Sequence, residues 1–485
     1  MKPTRRARLL RAEFTKFRTV RGWMIALCAA AVVFVFVSFL SASESRYAVP
    51  PVPVGPGGEA VSDTYMFVHQ ILAGDGTVTT RVTSLSGAQD SLNTTPLAPW
   101  AKAGIILEPD TRQGTAYAAV LVTGSHGVQM QYNYTHDSPG LPGTAGPSSP
   151  RWLRLTRTGD VITGYDSADG VRWTQIGTAR LTSLPRTVQV GLFVTSPLYF
   201  PAGEEIGIPS AATASFDHTS VQGDLPSRSW AGDPVTARSY PSPQSAAAWR
   251  QRSPGAFTIT GSGDVAPLVG DILSPQWAGA SVVNGTIFAL LIMIVLATLF
   301  ATAEYRRGLV RTTFAATPRR GRVLAAKAAV AGSLAFASGA TATAIAEVIT
   351  RHVLASNGNY LFPQSASDLA RIIIGTGLLL GLAAALAVAL GMVLRRSALA
   401  VTASVGLLIL PGILGAQSGN WLMRFTPTAA FAIQATLPRS NLVNSDYTPP
   451  NGYFPISPLA SLAVLAAYTA VALAAGTWLL RHRDA

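Results

Sequence analysis

Few side chains in this sequence are placed for chemistry, and the first candidates are carboxylates and tryptophans. Glu108 and Asp110 could be the paired acid and base of a glycoside hydrolase. Pro109 lies between them, however, and breaks the strand that would set both on one face, so a polar cluster at a loop edge is the simpler reading. Trp100, Trp152 and Trp173 could stack on sugar rings, although tryptophans in a β-rich segment more often fill a core or its rim. His69, His126, His136 and His218 lack the spacing of metal ligands, and the SADGVRW turn around Asp169 offers too few oxygens for calcium. Glu347 lies in an apolar run, where a carboxylate can mark a transport path; Arg351, four residues on, offers it a helical partner. Gly375, Gly377 and Gly381 do not match a dinucleotide fingerprint, and no G-x-x-x-x-G-K-[ST] occurs in the chain. No residue of the chain is therefore expected to be catalytic, cofactor-binding or metal-binding.

The densest charge is in EYRRGLVRTTFAATPRRGR, residues 304–322, between two apolar runs. What must position it is a set of membrane helices. Of the 485 residues 48% are hydrophobic and 13% charged, against roughly 25% charged in ordinary soluble domains. Six runs are long enough to cross a bilayer: 22–40, 283–302, 323–349, 369–393, 398–416 and 459–480. The fifth contains Pro411, tolerable in a membrane helix whose neighbours satisfy the freed backbone groups. Gly377 and Gly381 suit close helix packing, and Arg371 reads as a snorkelling anchor.

The net charge of +13 could signal nucleic-acid binding, but its distribution argues otherwise. The N-terminal arm, the 304–327 connection, Arg395–Arg396 and the C-terminus carry nineteen basic residues against Glu13, Glu304 and Asp484; the long region between the first two runs has 14 basic and 18 acidic. Arginine-rich short loops stay in the cytoplasm, so both termini are expected inside and residues 41–280 outside. The charge reads as a topology signal, and no nucleic-acid partner is expected. The single cysteine, Cys28, lies in the first run, which leaves the exported region without a disulfide. That run ends in small residues that suit a signal peptidase. Its length and its long basic arm favour retention.

In the arm, Leu10, Phe14 and Phe17 recur at helical spacing among basic residues, as in an interfacial amphipathic helix over 1–21. Residues 41–61 read as a linker. From 62 to 223 short alternating strands dominate: Val128, Met130, Tyr132 and Tyr134 share one face, and Leu153 with Leu155 and then Val161, Thr163 and Tyr165 alternate around the Gly159-Asp160 turn. These predict an antiparallel β-sandwich between helices 1 and 2. The Pro/Ser-rich stretch within 224–280 reads as a second linker, and 281–485 as helices 2–6. Between the last two runs, GNWLMRFTPTAAFAIQATLP is apolar but too broken to span, as in a re-entrant or interfacial helix on the outer side.

A span running into EYRRGLVRTTFAATPRRGRVLAAK resembles the type 2, exporter-class permeases of ATP-binding-cassette transporters, and LLRAEFTKFRTVRGWM resembles the N-terminal elbow of actinobacterial members. The matching positions are Glu304, Gly308, Thr317, Pro318, Arg319, Arg320 and Lys327. The resemblance implies a short cytoplasmic helix that docks on a separate ATPase subunit, with Glu304, Arg307, Gly308, Arg311, Phe314, Pro318, Arg319 and Arg320 as its coupling contacts. It implies ATP and magnesium on that partner, no cofactor on this chain, and a dimer with itself or a related permease. A topology-setting loop that anchors on anionic lipid fits the charge equally well.

PWAKAGIILEPDTRQGTAYAAVLVTGSHGVQMQ with PRWLRLTRTGDVITGYDSADGVRWTQIG is similar to concanavalin-like jelly-roll domains of bacterial surface proteins. That fold hosts lectins, hydrolases and inert modules, so it implies no single activity; a glycan or peptide ligand stays open. The expectation is therefore a polytopic α-helical membrane protein with an inserted jelly-roll ectodomain, acting as an exporter permease of unknown substrate. The alternatives are a membrane-anchored sensor or carbohydrate-binding protein and a membrane-bound glycoside hydrolase.

Overall fold

The computed structural model describes residues 5–47, 52–88, 96–201, 207–236, 247–269, 278–306, 308, 320–415, 421–443 and 452–482. The chain divides into a helical unit, Met1–Ala48 with Leu273–Leu437 and Tyr447–Ala485, and a β-rich unit, Val49–Ile272 with Pro438–Asp446.

The helical unit begins with α1 (Arg5–Thr19) and α2 (Arg21–Ser43), followed by α3 (Ala278–Arg306), α4 (Arg320–Ser356) and α5 (Ala366–Leu394). Next come α6 (Ser397–Leu408), α7 (Leu410–Gly415), α8 (Trp421–Phe425), a 3-10 helix Pro427–Gln434, and α9 (Pro458–His482). Among the described residues six helical segments are long and apolar enough to cross a membrane, with α6 and α7 counting together as the fifth. They match the six apolar runs in order.

Small residues set the packing of this unit. A Cβ on Gly381 would lie 2.9 Å from the Gly332 carbonyl oxygen, and one on Gly377 3.0 Å from that of Phe336, so α4 and α5 approach at backbone distance. Gly285 of α3 likewise faces Ser38 and the Phe34 carbonyl of α2. Ser365 and Asp368 form a capping box at the start of α5, satisfying amides that have no helical partner.

The fifth apolar segment is broken where Pro411 lacks an amide hydrogen. α6 stops at Leu408, and the Thr428 hydroxyl reaches the freed carbonyls, 3.0 Å from that of Leu408 and 3.4 Å from that of Leu407. Residues 427–434, read as re-entrant, are all buried. Arg371 does more than snorkel: its guanidinium donates to the carbonyls of Ile433 at 2.7 Å and Ala435 at 2.9 Å, closing the C-terminal end of that helix.

The β-rich unit contains β1 (Val61–Asp63), β2 (Tyr65–Gly87), β3 (Lys102–Glu108), β4 (Ala118–Thr123), β5 (Val128–Tyr132), β6 (His136–Pro139), β7 (Arg151–Thr158) and β8 (Val161–Ser167). β9 (Thr174–Arg180), β10 (Thr187–Thr195), β11 (Ala212–Asp224), β12 (Ala231–Val235), β13 (Ala248–Ser253), β14 (Ala256–Gly261) and β15 (Val265–Pro267) complete it. Thirteen strands form one large antiparallel sheet that is nearly barrel-shaped. β2 is its spine. The first part of β2 pairs with β10 and β12, the second with β11 and β7. Gly74, with φ +76°, sits between the two parts in a conformation that side chains disfavour.

Alternation sorts the core. Met66, Val68 and Leu72 join Val120, Leu153, Ile162 and Val190 in the main apolar cluster. Tyr65 and Phe67, pointing the other way, join Ile106, Tyr117, Leu121, Tyr134 and Phe193 in a second one. Residues 224–280, expected as a linker, instead contain β12 to β15, and β14 pairs with β11 through Phe216↔Phe257. Phe257 and Ile259 alternate into the main core, a two-residue signal hidden among prolines and serines.

Candidate functional site

The best-organised polar site of the helical unit lies where α1 meets the end of α3 and the start of α4. Glu13, Lys16, Glu304 and Lys327 form a closed ring of alternating charge. Lys327 Nζ donates to Glu13 Oε2 and Glu304 Oε1, each at 2.9 Å. Lys16 Nζ donates to Glu13 Oε1 at 2.7 Å and to Glu304 Oε1 at 2.9 Å. Glu13 and Lys327 are each only 1% exposed at the side chain. The Lys327 ammonium also stands 4.6 Å from the ring centroid of Phe300, a face that attracts cations. Phe17, Trp23 and Phe300 pack against one another with centroids 5.2–5.7 Å apart. Burial opposes the charge on Lys16, but its bonds to Glu13 and Glu304 outweigh this and hold it above the ordinary lysine value.

The sequence explains this placement. Glu13 and Phe17 are four residues apart on α1 and face the helical core together, while Leu10 and Phe14 of the expected apolar stripe are exposed. The helix therefore presents two faces instead of one. Glu304 and Lys327 flank the arginine-rich connection, so the ring holds its two ends together and ties both to α1. Glu13 and Lys16 were not singled out by sequence reasoning. A signal existed, since Glu13 and Glu304 are nearly the only acids in the basic segments.

Of the expected coupling contacts, Arg307, Arg311, Phe314, Pro318 and Arg319 lie outside the described residues. Glu304 is in the ring. Gly308 is exposed, with φ +69°. Arg320 opens α4, and its guanidinium donates to the Leu480 carbonyl of α9 at 3.2 Å.

Glu347 is buried in α4. The Arg351 guanidinium donates to Gln364 Oε1 at 2.7 Å, and its charge acts on Glu347 without a hydrogen bond or close ion pair between them. Gln434, unflagged by the sequence, donates to the hydroxyls of Thr286 at 2.7 Å and Thr376 at 2.9 Å, joining the 3-10 helix to α3 and α5.

In the β-rich unit Glu108 and Asp110 are not brought together. Glu108 is buried and accepts from the Tyr65 hydroxyl at 2.6 Å. Asp110 pairs with exposed Arg112 at 2.6 Å. Burial pushes the Glu108 carboxyl well above its ordinary range, and the Arg112 bond holds that of Asp110 below it. The face carrying Glu108 is covered: Val61 of β1 and Val265 of β15 pack into the same apolar cluster as Tyr65 and Tyr117.

Trp100 is buried and stacks on His126 at 4.0 Å. Trp152 and Trp173 are half-buried, Trp173 under the Arg154 guanidinium at 3.8 Å. His69 contacts Gln189 at 2.8 Å and Asp233 at 2.9 Å. His136 stacks on Tyr132, and His218 contacts Asp217. Among the described residues no group of His, Cys, Asp and Glu could hold a metal ion.

No protein-family profile matches the chain, and no curated protein does. Solved structures give partial likenesses. A functionally unknown protein from Saccharomyces cerevisiae is 16% identical, with 37% of this chain and 84% of that one covered and a TM-score of 0.24. A scytalido-glutamic peptidase with a transition-state analogue inhibitor is 10% identical, covering 43% of this chain and all of that one, with a TM-score of 0.28. A GH43 protein, BlXynB from Bacillus licheniformis, is 14% identical over 31% of this chain and 28% of that one, with a TM-score of 0.20. Scores this low carry no argument about fold or function.

Proposed function

We propose that the chain is the membrane-spanning permease subunit of an ATP-driven exporter, coupled through residues 304–322 to a separate ATPase. The observation that carries this reading is the charge ring. It fastens the two ends of the arginine-rich connection to each other and to α1, so a push on that connection would reach α1, α3 and α4 together. A loop that only set topology would need charge but no such fastening. On this reading the subunit dimerises, with itself or with a related permease, and ATP and magnesium belong to the partner. The β-rich unit is then an external jelly-roll sandwich. The covered face around Glu108 weighs against a hydrolase or a sugar site there.

The test is co-expression with a P-loop ATPase from the neighbouring reading frame. Arg319→Glu with Arg320→Glu should leave expression and orientation intact and abolish co-purification, since losing one partner of a desolvated charge pair costs about 2–5 kcal/mol. Gly308→Pro should act alike. Normal binding and coupling in these variants would reduce the stretch to a topology anchor.

A further inference from the structure

The strands that bracket the β-rich unit in sequence, β1 and β15, pair with each other and not with the large sheet: Val61↔Pro267, Ser62↔Ala266 and Asp63↔Val265. Thr64 N donates to Asp264 O and Leu268 N to Ala60 O, each at 2.8 Å, extending the ribbon at both ends. β1 follows α2 in the chain, and β15 precedes α3.

Gln113 donates to the Asp63 carbonyl and the Thr195 hydroxyl to that of Thr64 at 2.8 Å, and the two acidic side chains of the ribbon, Asp264 and Asp63, have partners that differ in charge. On the β15 side Lys102 Nζ donates to Asp264 Oδ1 at 2.7 Å and to Val265 O at 2.6 Å, both side chains being buried. On the β1 side Asp63 Oδ2 accepts from the Tyr134 hydroxyl and from Gly114 N, each at 2.8 Å. Lys102 is committed to Asp264. Asp63 and Glu108 have no bonded cation among the described residues. Facing Asp63 are Tyr65 of β2, Glu108 of β3, Tyr117 before β4 and Tyr134 after β5. Glu108 Oε1 and the Tyr117 hydroxyl are buried without a partner. Two buried carboxyl groups thus share a tyrosine-lined space with no positive charge of their own.

We propose that β1 is a proton-tightened strap: with Asp63 neutral the ribbon is locked onto the sheet, and with Asp63 ionised it loosens. A buried carboxylate lacking a cation favours its neutral form. Burial pushes Asp63 up to about 6, against 3.8 in water, where an opened strap would leave it. Because the closed value lies above the open one, the added stability of closure is complete below the open value and is lost as pH rises through about 6. Burial pushes Glu108 up as well, but it sits on β3 and bonds Tyr65 of β2, whereas Asp63 is carried by the ribbon itself. The ratio of closed to open strap should therefore be about tenfold higher at pH 5 than at pH 8. The inference rests on the β-rich unit alone and holds whatever the helices carry.

Hydrogen exchange on the full chain in lipid nanodiscs tests it, with rates corrected for intrinsic pH dependence. The amides of Thr64 and Leu268 should exchange about tenfold more slowly at pH 5 than at pH 8, while β8 and β9 do not change. Asp63→Asn should keep those two amides slow at both pH values, and Glu108→Gln should retain the wild-type response. Equal protection at both pH values, or a slowing shared by β8 and β9, would overturn the strap even if no variant folds. A pH response that survives Asp63→Asn or disappears in Glu108→Gln would overturn the choice of Asp63.

Discussion

Lys327 and Glu13 stand 314 residues apart in sequence, and their charged atoms meet at 2.9 Å with both side chains buried. Neither is stable there alone, because a buried charge without a partner costs about 3–5 kcal/mol.

Lys327→Met should therefore lower the thermal stability of the purified protein steeply, by about 3–5 kcal/mol, since Lys16 is left to neutralise two carboxylates. Adding Glu13→Gln should recover much of that loss, the signature of direct coupling. Thermal unfolding of both single variants and the double variant decides the matter. Additive losses would show that the ring does not act as a unit.

Thr428→Val should destabilise the broken fifth segment. It removes the hydroxyl that reaches the Leu408 and Leu407 carbonyls and leaves buried acceptors bare, at about 1–3 kcal/mol. Thr428→Ser keeps the hydroxyl and should sit near wild type in the same melting experiment. Equal behaviour of the two variants would mean that those carbonyls need no donor.

Gly381→Leu should separate α4 from α5. A Cβ there already lies 2.9 Å from the Gly332 oxygen, and the larger side chain would add overpacking of about 1–3 kcal/mol. Gly406, which has nothing within 4 Å, is the matched control for the same substitution. Detergent-dependent unfolding should be shifted in the first variant and nearly unchanged in the second.

Orientation can be read by fusion reporters. One placed near Gly159 should be active only outside the cell, and one near Phe314 only inside, following the arginine distribution. The reverse pattern would overturn the charge argument.

The apolar helices were legible because a run of about twenty apolar residues has few other uses, and β7 and β8 because alternation around Gly159-Asp160 is a local signal. The charge ring was not legible, since sequence order carries no sign that α1 returns to the start of α4. Leu10, Phe14 and Phe17 illustrate the same limit. Their spacing marks one helix face, but only tertiary packing turns Phe17 and Glu13 inward and leaves the other two outside. The strands within 224–280 give little sequence signal because β12 and β13 carry mostly polar, exposed residues, and Phe257 and Ile259 of β14 are the residues of these strands buried in the main core. Arg351 met Gln364 in place of Glu347, a choice between neighbours that spacing cannot decide.

The pairing of Val61 with Pro267 brings the inbound and outbound chain of the β-rich unit to one strand spacing, about 5 Å. A folded guest whose two ends meet in this way can occupy the tip of a hairpin without prying its host apart. The roughly two hundred residues between these partners could thus be acquired or exchanged as a cassette.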